Sequence, residues 1–195
     1  MAPVAAALIY LTMGEMADYL FGAGDPQQAQ TLLGRLFQAG ANRFSYQYTE
    51  VAGMSGEVAG LVISYSGRLM RALEMPMAFQ MLRLTGIPGL VRFVRRASPL
   101  VGVREAEDDE YFISNIAVLP MHQGKGLGRN LLYLTEDKAR RQGFSKLSLT
   151  VEVENERARS LYARMGFDVI QTVEIEALRR QFGYAGFHRM VKPIT

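Results

Sequence analysis

The stretch Asn-Ile-Ala-Val-Leu-Pro-Met-His-Gln-Gly-Lys-Gly-Leu-Gly-Arg, running from Asn115 to Arg129, decides how the rest of the chain is read. It begins as an apolar strand, breaks at Pro120, and re-enters regular structure through three alternating glycines. Leu127, Leu131, Leu134 and Thr135 recur at helical spacing after the break, so Gly124, Gly126 and Gly128 sit at a helix N-terminus. Such a turn leaves several backbone N–H groups unpaired and aimed at one spot, where the helix dipole adds positive potential. A phosphate is the natural guest. Lacking Cβ, the three glycines also let a ligand approach the backbone closely. Spacing excludes two familiar phosphate loops. A nucleoside-triphosphate loop needs Ser or Thr after Gly-Lys, whereas Lys125 is followed by Gly126. A dinucleotide fingerprint needs G-x-G-x-x-G, and the run here is G-x-G-x-G.

Read as Gln123-Gly124-Lys125-Gly126-Leu127-Gly128, the stretch resembles motif A, Q/R-x-x-G-x-G/A, of the GNAT superfamily of N-acetyltransferases. In that family the loop cradles the pyrophosphate of acetyl-coenzyme A. The segment Asn155 to Phe167 resembles the family's motif B, N-x-x-A-x-x-L-Y-x-x-x-G-F, at every defining position. Asn155 as N-cap and Gly166 as the residue past the C-terminus frame a helix of about three turns. Asn155, Ala158 and Tyr162 fall on one stripe of it. Asn155 also reads simply as a helix cap, and Tyr162 as a core residue with its hydroxyl at the rim. The two motifs stand in family order, with a helix and a strand between them.

The resemblance implies an α/β GNAT fold: a mixed, mostly antiparallel twisted sheet with helices on both faces and a V-shaped splay at the cofactor strands. It implies acetyl-coenzyme A as cosubstrate, no metal, and direct transfer of acetyl to an amine of a small molecule or peptide. By resemblance, the backbone of Ile116, Ala117 and Val118 pairs with the pantetheine arm and offers an N–H to the thioester carbonyl. Gln123, Gly124, Lys125, Gly126, Leu127, Gly128 and Arg129 hold the pyrophosphate. Asn155 and Ala158 line the arm's path. Tyr162 touches the cofactor and is the general acid toward the departing thiolate. The general base matches less well, because Phe112 and Thr150 stand where other members carry glutamate. Glu152 and Glu110 are the candidates, each also readable as a solvated carboxylate, and a water chain ending on backbone is a third route for the proton.

Composition agrees with a single domain spanning residues 1–195, at 49% hydrophobic and 21% charged residues. With no cysteine, a disulfide framework, a thiolate metal site and a cysteine nucleophile are all excluded. Two histidines are too few for a convincing zinc site, and a net charge of +3 does not argue for nucleic acid. Residues Ala5 to Phe21 are apolar but interrupted by Glu15 and Asp18, which reads as one core helix ending near Gly22 and not as a leader or a span. A cytoplasmic protein is expected. Asp25 as N-cap, Pro26 and a stop at Gly40 mark the next helix. Family members usually open with a strand, so either a strand lies upstream of Met1 or the sheet lacks one and exposes an edge.

A hairpin follows, with Phe44 to Val51 alternating, a turn over Gly53 to Gly56, and a return from Val58 to Tyr65. Beyond the motif B helix, Asp168 to Ile175 and Phe187 to Lys192 read as a closing antiparallel pair, with Arg179, Arg180 and Tyr184 on the connecting loop. Residues 66–100 are a helical insertion, cut by Pro76, Pro88 and Pro99 into two or three helices. It carries six arginines (Arg68, Arg71, Arg83, Arg92, Arg95, Arg96) against one acid, Glu74. Three readings stay open: a cap on the transfer cleft, a homodimer surface, or a basic face for a membrane or an acidic partner, the membrane being the least favoured. As a cap, its arginines would favour an acceptor bearing a carboxylate or phosphate. The competing class of function is a module that binds acetyl-coenzyme A, or a partner, without catalysis.

Overall fold

In the computed structural model, which describes residues 1–194, the apolar N-terminal run folds as two helices and not one. Helix α1 (Ala2–Met13) meets α2 (Glu15–Phe21) at Gly14, whose φ of 52° and ψ of −134° turn the chain by 108°. An apolar run hides such a break, because both helices bury their residues. Leu8, Ile9, Ala17 and Phe21 all lie in the core. Asp25 caps α3 (Pro26–Gln38), its carboxylate accepting the N–H groups of Gln27 and Gln28. The stop is made by Asn42, whose side-chain amide donates to the carbonyls of Leu36 and Ala39.

Residues 44–48, expected to begin a strand, hold a 3₁₀ turn at Tyr46–Tyr48. The hairpin is β1 (Thr49–Met54) and β2 (Glu57–Ser66), so Gly53 and Met54 belong to the strand. Its two-residue turn, Ser55-Gly56, has both φ values positive, the geometry that matches strand twist. The insertion contributes α4 (Gly67–Ala72) and α5 (Glu74–Ala97). Pro76 cuts nothing, since it lies in the first turn of α5, where a missing N–H is harmless. The breaks fall at Leu73 and at Gly86, whose φ is 70°, just before Pro88.

Next come β3 (Tyr111–Val118), α6 (Leu127–Arg141), β4 (Lys146–Glu152) and α7 (Glu156–Arg164). The chain closes with β5 (Asp168–Glu174), α8 (Glu176–Phe182) and β6 (Gly186–Pro193). Arg179 and Arg180 thus lie on a short helix where a loop was expected. The six strands form one sheet in the order β1-β2-β3-β4-β6-β5, with β1 at an edge. Among the described residues, only β3 and β4 pair in parallel. One face is buried under α1, α2, α3 and α5, and the other under α6 and α7. This is the mixed, mostly antiparallel sheet with helices on both faces that the motifs implied. Among the described residues, no single helix is long and apolar enough to cross a membrane.

Candidate active site

The sheet opens between its two parallel strands. Pairing of β3 with β4 is limited to Tyr111↔Leu147, Phe112↔Ser148 and Ile113↔Leu149. Beyond Ile113 the strands diverge, while β3 stays on β2 through Val118 and β4 stays on β6 through Glu152. The divergence begins at a bulge. On β2, Ile63 and Ser64 are consecutive, but their partners on β3 are Asn115 and Ile113, leaving Ser114 as the extra residue. A bulge bends its strand and sharpens its twist. Here Asn115 fastens it, donating from Nδ2 to Thr12 Oγ1 of α1 at 2.7 Å and accepting from Ser114 Oγ at 3.0 Å.

Past the bulge, the alternation of a strand fixes which amides face the opening. Leu119 N–H is given to Ala59 on β2 at 2.8 Å, so Val118 and Ile116 direct theirs away from β2, into the gap. Val118 O accepts from Gln123 Nε2 at 3.1 Å, which ties the glycine loop to the strand end. In the loop, Gly124 and Gly126 have φ of 78° and 83°, a region that L side chains rarely adopt. Backbone bonding stops at Gln123 N–H, given to Pro120 O, and resumes at Asn130 N–H, given to Gly126 O. The N–H groups of Leu127, Gly128 and Arg129 therefore stand at the start of α6 with no acceptor inside it. A Cβ on Gly128 would meet nothing nearer than Leu161 and Val118 at 4.0 Å, so packing does not demand glycine there. The cradle fits an anionic diphosphate.

Helix α7 faces the same opening from the other strand. Asn155 caps it, Oδ1 accepting Ala158 N–H at 3.1 Å, as expected of a cap. Ala158 packs against the core beneath α6 and α7. Tyr162 is 9% exposed, edge-on to Phe167, and burial pushes its phenol up to about 12. Among the described residues nothing hydrogen-bonds its hydroxyl.

The two carboxylates singled out for the base have different surroundings. Glu152 ends β4 at the gap, on the face opposite Val151. Burial, then the charge of Glu154, raises its pKa. Glu110 lies just before β3, at the closed end of the β3–β4 pair. Both its carboxylate oxygens sit 2.5 Å from Arg189 Nη2, and Oε2 also accepts Glu107 N–H. Glu110 is 3% exposed and Arg189 6% by side chain.

Glu154, two positions on, and Tyr184 and Glu15 from distant parts of the chain join Glu152. Tyr184 lies just before β6, its hydroxyl buried without a partner and its pKa raised by burial and then by Glu152, Glu15 and Glu154. Glu154 holds this segment, accepting Ala185 N–H at 2.8 Å. Rings run from α2 to β6: Tyr19 edge-on to Phe182, Phe182 stacked on Tyr184, and Tyr184 edge-on to Phe187. No spacing in the sequence links Tyr184 or the rings of α2 to Glu152. The charges acting on Tyr184 are carboxylates. Arg96 donates to Tyr19 O and lies over its ring, and Arg71 pairs with Asp108. Open surface hollows of about 310 and 330 Å³ lie elsewhere, between α1 and α3 and beside Arg159 and Asp168. The parting of β3 from β4 beyond Ile113 leaves a slot between them.

The sequence matches the acetyltransferase (GNAT) family over residues 55–167, more than half of the chain and inclusive of both motifs. The chain belongs to that family. Among its relatives is the mycothiol acetyltransferase of Beutenbergia cavernae, 37% identical over 87 residues, which are 45% of this chain and 27% of that protein. Another is the [ribosomal protein bS18]-alanine N-acetyltransferase of Escherichia coli K12, 42% identical over 60 residues, 31% of this chain and 40% of that one. The chain thus aligns with less than half the length of either relative. An N-acetyltransferase from Staphylococcus aureus Mu50 superposes with a TM-score of 0.73 at 24% identity, covering 97% of this chain and 94% of that one. That likeness is one of fold. Membership bears out the family and the sheet architecture implied by the two motifs, and GNAT members are acyltransferases whose cosubstrate is acetyl-coenzyme A.

Proposed function

We propose that this chain transfers acetyl directly from acetyl-coenzyme A to an amine of a small molecule or peptide. The observation that carries this reading is the continuity of three things: unpaired N–H groups at the start of α6, the β3 amides facing the gap, and Tyr162 across it. Bound there, the coenzyme supplies an activated thioester whose C–S bond is exchanged for a C–N bond. The loop from Gln123 to Arg129 holds the diphosphate by backbone N–H groups and the α6 dipole. Amides of Ile116 and Val118 align the pantetheine arm as a strand would, and the Val118 N–H meets the carbonyl oxygen as its charge grows. Ala158 is small enough to let the arm pass.

Tyr162, kept protonated by burial, gives its proton to the departing thiolate. We assign the acceptor's proton to Glu152, whose raised pKa brings it nearer to that of a working base. Glu110 has its lone pairs committed to Arg189 and Glu107 and is assigned to structure. Carboxylates of Glu15, Glu152 and Glu154 favour an acceptor that arrives as a cation. The two relatives are named for unlike compounds, mycothiol and a ribosomal-protein alanine, so likeness to them does not choose an acceptor.

Thiol release from acetyl-coenzyme A over pools of amines tests this. Release that depends on an amine, and that falls about 100-fold in Tyr162→Phe at unchanged coenzyme affinity, is the expected result. Coenzyme binding without release for any amine would favour the non-catalytic binding module.

A further inference from the structure

Helix α5 is apolar on two sides. Its inner side packs on the core through Met77, Met81, Leu84 and Phe93, the last stacked on Phe21 with ring centres 5.5 Å apart. Its outer surface carries Met75 and Phe79 before the break at Gly86 and Ile87, Val91 and Val94 after it, and Val101 is exposed past the helix end. These six are between 56% and 81% exposed. Spacings of four residues before the break at Gly86, and of four and three after it, give each half of the helix an exposed apolar line. A run of large apolar side chains facing solvent marks a surface that something covers.

Charge says what covers it. Residues 67–101 hold six arginines and one acid, while the whole chain has a net charge of only +3. The positive excess is therefore confined to this segment, and the remainder of the chain is slightly acidic. Arg71 and Arg96 are used internally. Arg68, Arg83, Arg92 and Arg95 form no ion pair among the described residues. The acidic run after the insertion does not answer them. Glu105, Glu107, Asp108, Asp109 and Glu110 are each paired within the chain, with Arg43, Arg104, Arg71, Lys146 and Arg189. A second copy of the chain laid on this face by a two-fold axis would bring like arginines together with only Glu74 between them.

We propose that α5 docks this protein on an anionic lipid bilayer, its exposed apolar lines entering the acyl boundary while Arg83, Arg92 and Arg95 meet headgroup phosphates. An apolar line flanked by long basic side chains is the pattern of an interfacial helix. The arginine stems bury their methylenes and keep the guanidinium at headgroup level. The inner side of α5 stays on α2, so docking requires no unfolding.

The test is cosedimentation of the full chain with phosphatidylcholine vesicles, with and without about a third phosphatidylserine, at low and high salt. Binding only to the anionic vesicles, weakened by salt, is expected. Replacing Arg83, Arg92 and Arg95 together by Gln lowers partitioning about 100-fold, at roughly fivefold per charge. Phe79→Ser with Val91→Ser also lowers it, while both variants keep the wild-type melting shift with acetyl-coenzyme A. No binding to anionic vesicles at low salt, or a triple variant that binds as well as wild type, overturns the proposal. So does a solution dimer that Phe79→Ser with Val91→Ser dissolves and anionic vesicles do not compete with, which would give the face to a second copy.

Discussion

Glu110 and Glu152 show how far a carboxylate's role depends on residues distant in sequence. Glu110 is neutralised by Arg189, 79 positions away, and the pair is buried. Glu110→Gln leaves a buried guanidinium unpaired and is expected to cost about 3–5 kcal/mol in denaturant unfolding, with most of it recovered in Glu110→Leu combined with Arg189→Met. Glu152 behaves oppositely. Its pKa is raised, so the folded state binds its proton more tightly than the unfolded state does, and stability falls as pH rises from the ordinary carboxylate value through the raised one. Glu152→Gln should therefore melt higher than wild type at neutral pH, the gap closing as pH drops below the ordinary carboxylate range. The same change should remove the acidic limb of the pH–rate profile, and a retained limb would move the base elsewhere. Tyr162 was legible in the sequence because its motif is local. Tyr184 and Glu15 were not legible as neighbours of Glu152, because only the fold brings them to it.

Elements were read well where their ends carry a chemical signature and poorly where they do not. Asp25-Pro26, Asn155 and Gly166 each mark a helix end that the structure keeps. Gly14 was missed because an apolar run surrounds it, and the turn it makes is a matter of φ and ψ alone. A Cβ there would meet nothing within 4 Å, so Gly14→Ala tests backbone strain without a clash and should cost about 1–3 kcal/mol. Proline was a poor guide in the insertion, where Gly86 makes the break and Pro76 is harmless. At the start of α6, Gly128→Glu separates fold from function. A Cβ there meets nothing nearer than 4.0 Å, and a carboxylate at the start of α6 favours the helix dipole. The free protein is expected to melt within a few degrees of wild type and to lose its response to the coenzyme.

At the scale of the molecule, a bulge pinned to α1 parts the two parallel strands, and the parting creates the slot that the loop and α7 serve. Family order of two motifs was enough to foresee the sheet, because the slot and its loop are encoded by residues 111–167. The acceptor side we propose draws on α2, the end of β4 and the segment before β6, which no contiguous stretch encodes. Thermal unfolding with and without acetyl-coenzyme A tests the central claim most directly. At about 100 times the dissociation constant, binding to the folded state alone adds about 2.7 kcal/mol, which for a chain of this size raises the melting temperature by about 5–10 °C. The account predicts that rise in wild type and its loss in Gly128→Glu, whereas no rise in wild type would contradict the assignment of Gln123 to Arg129 as a diphosphate cradle.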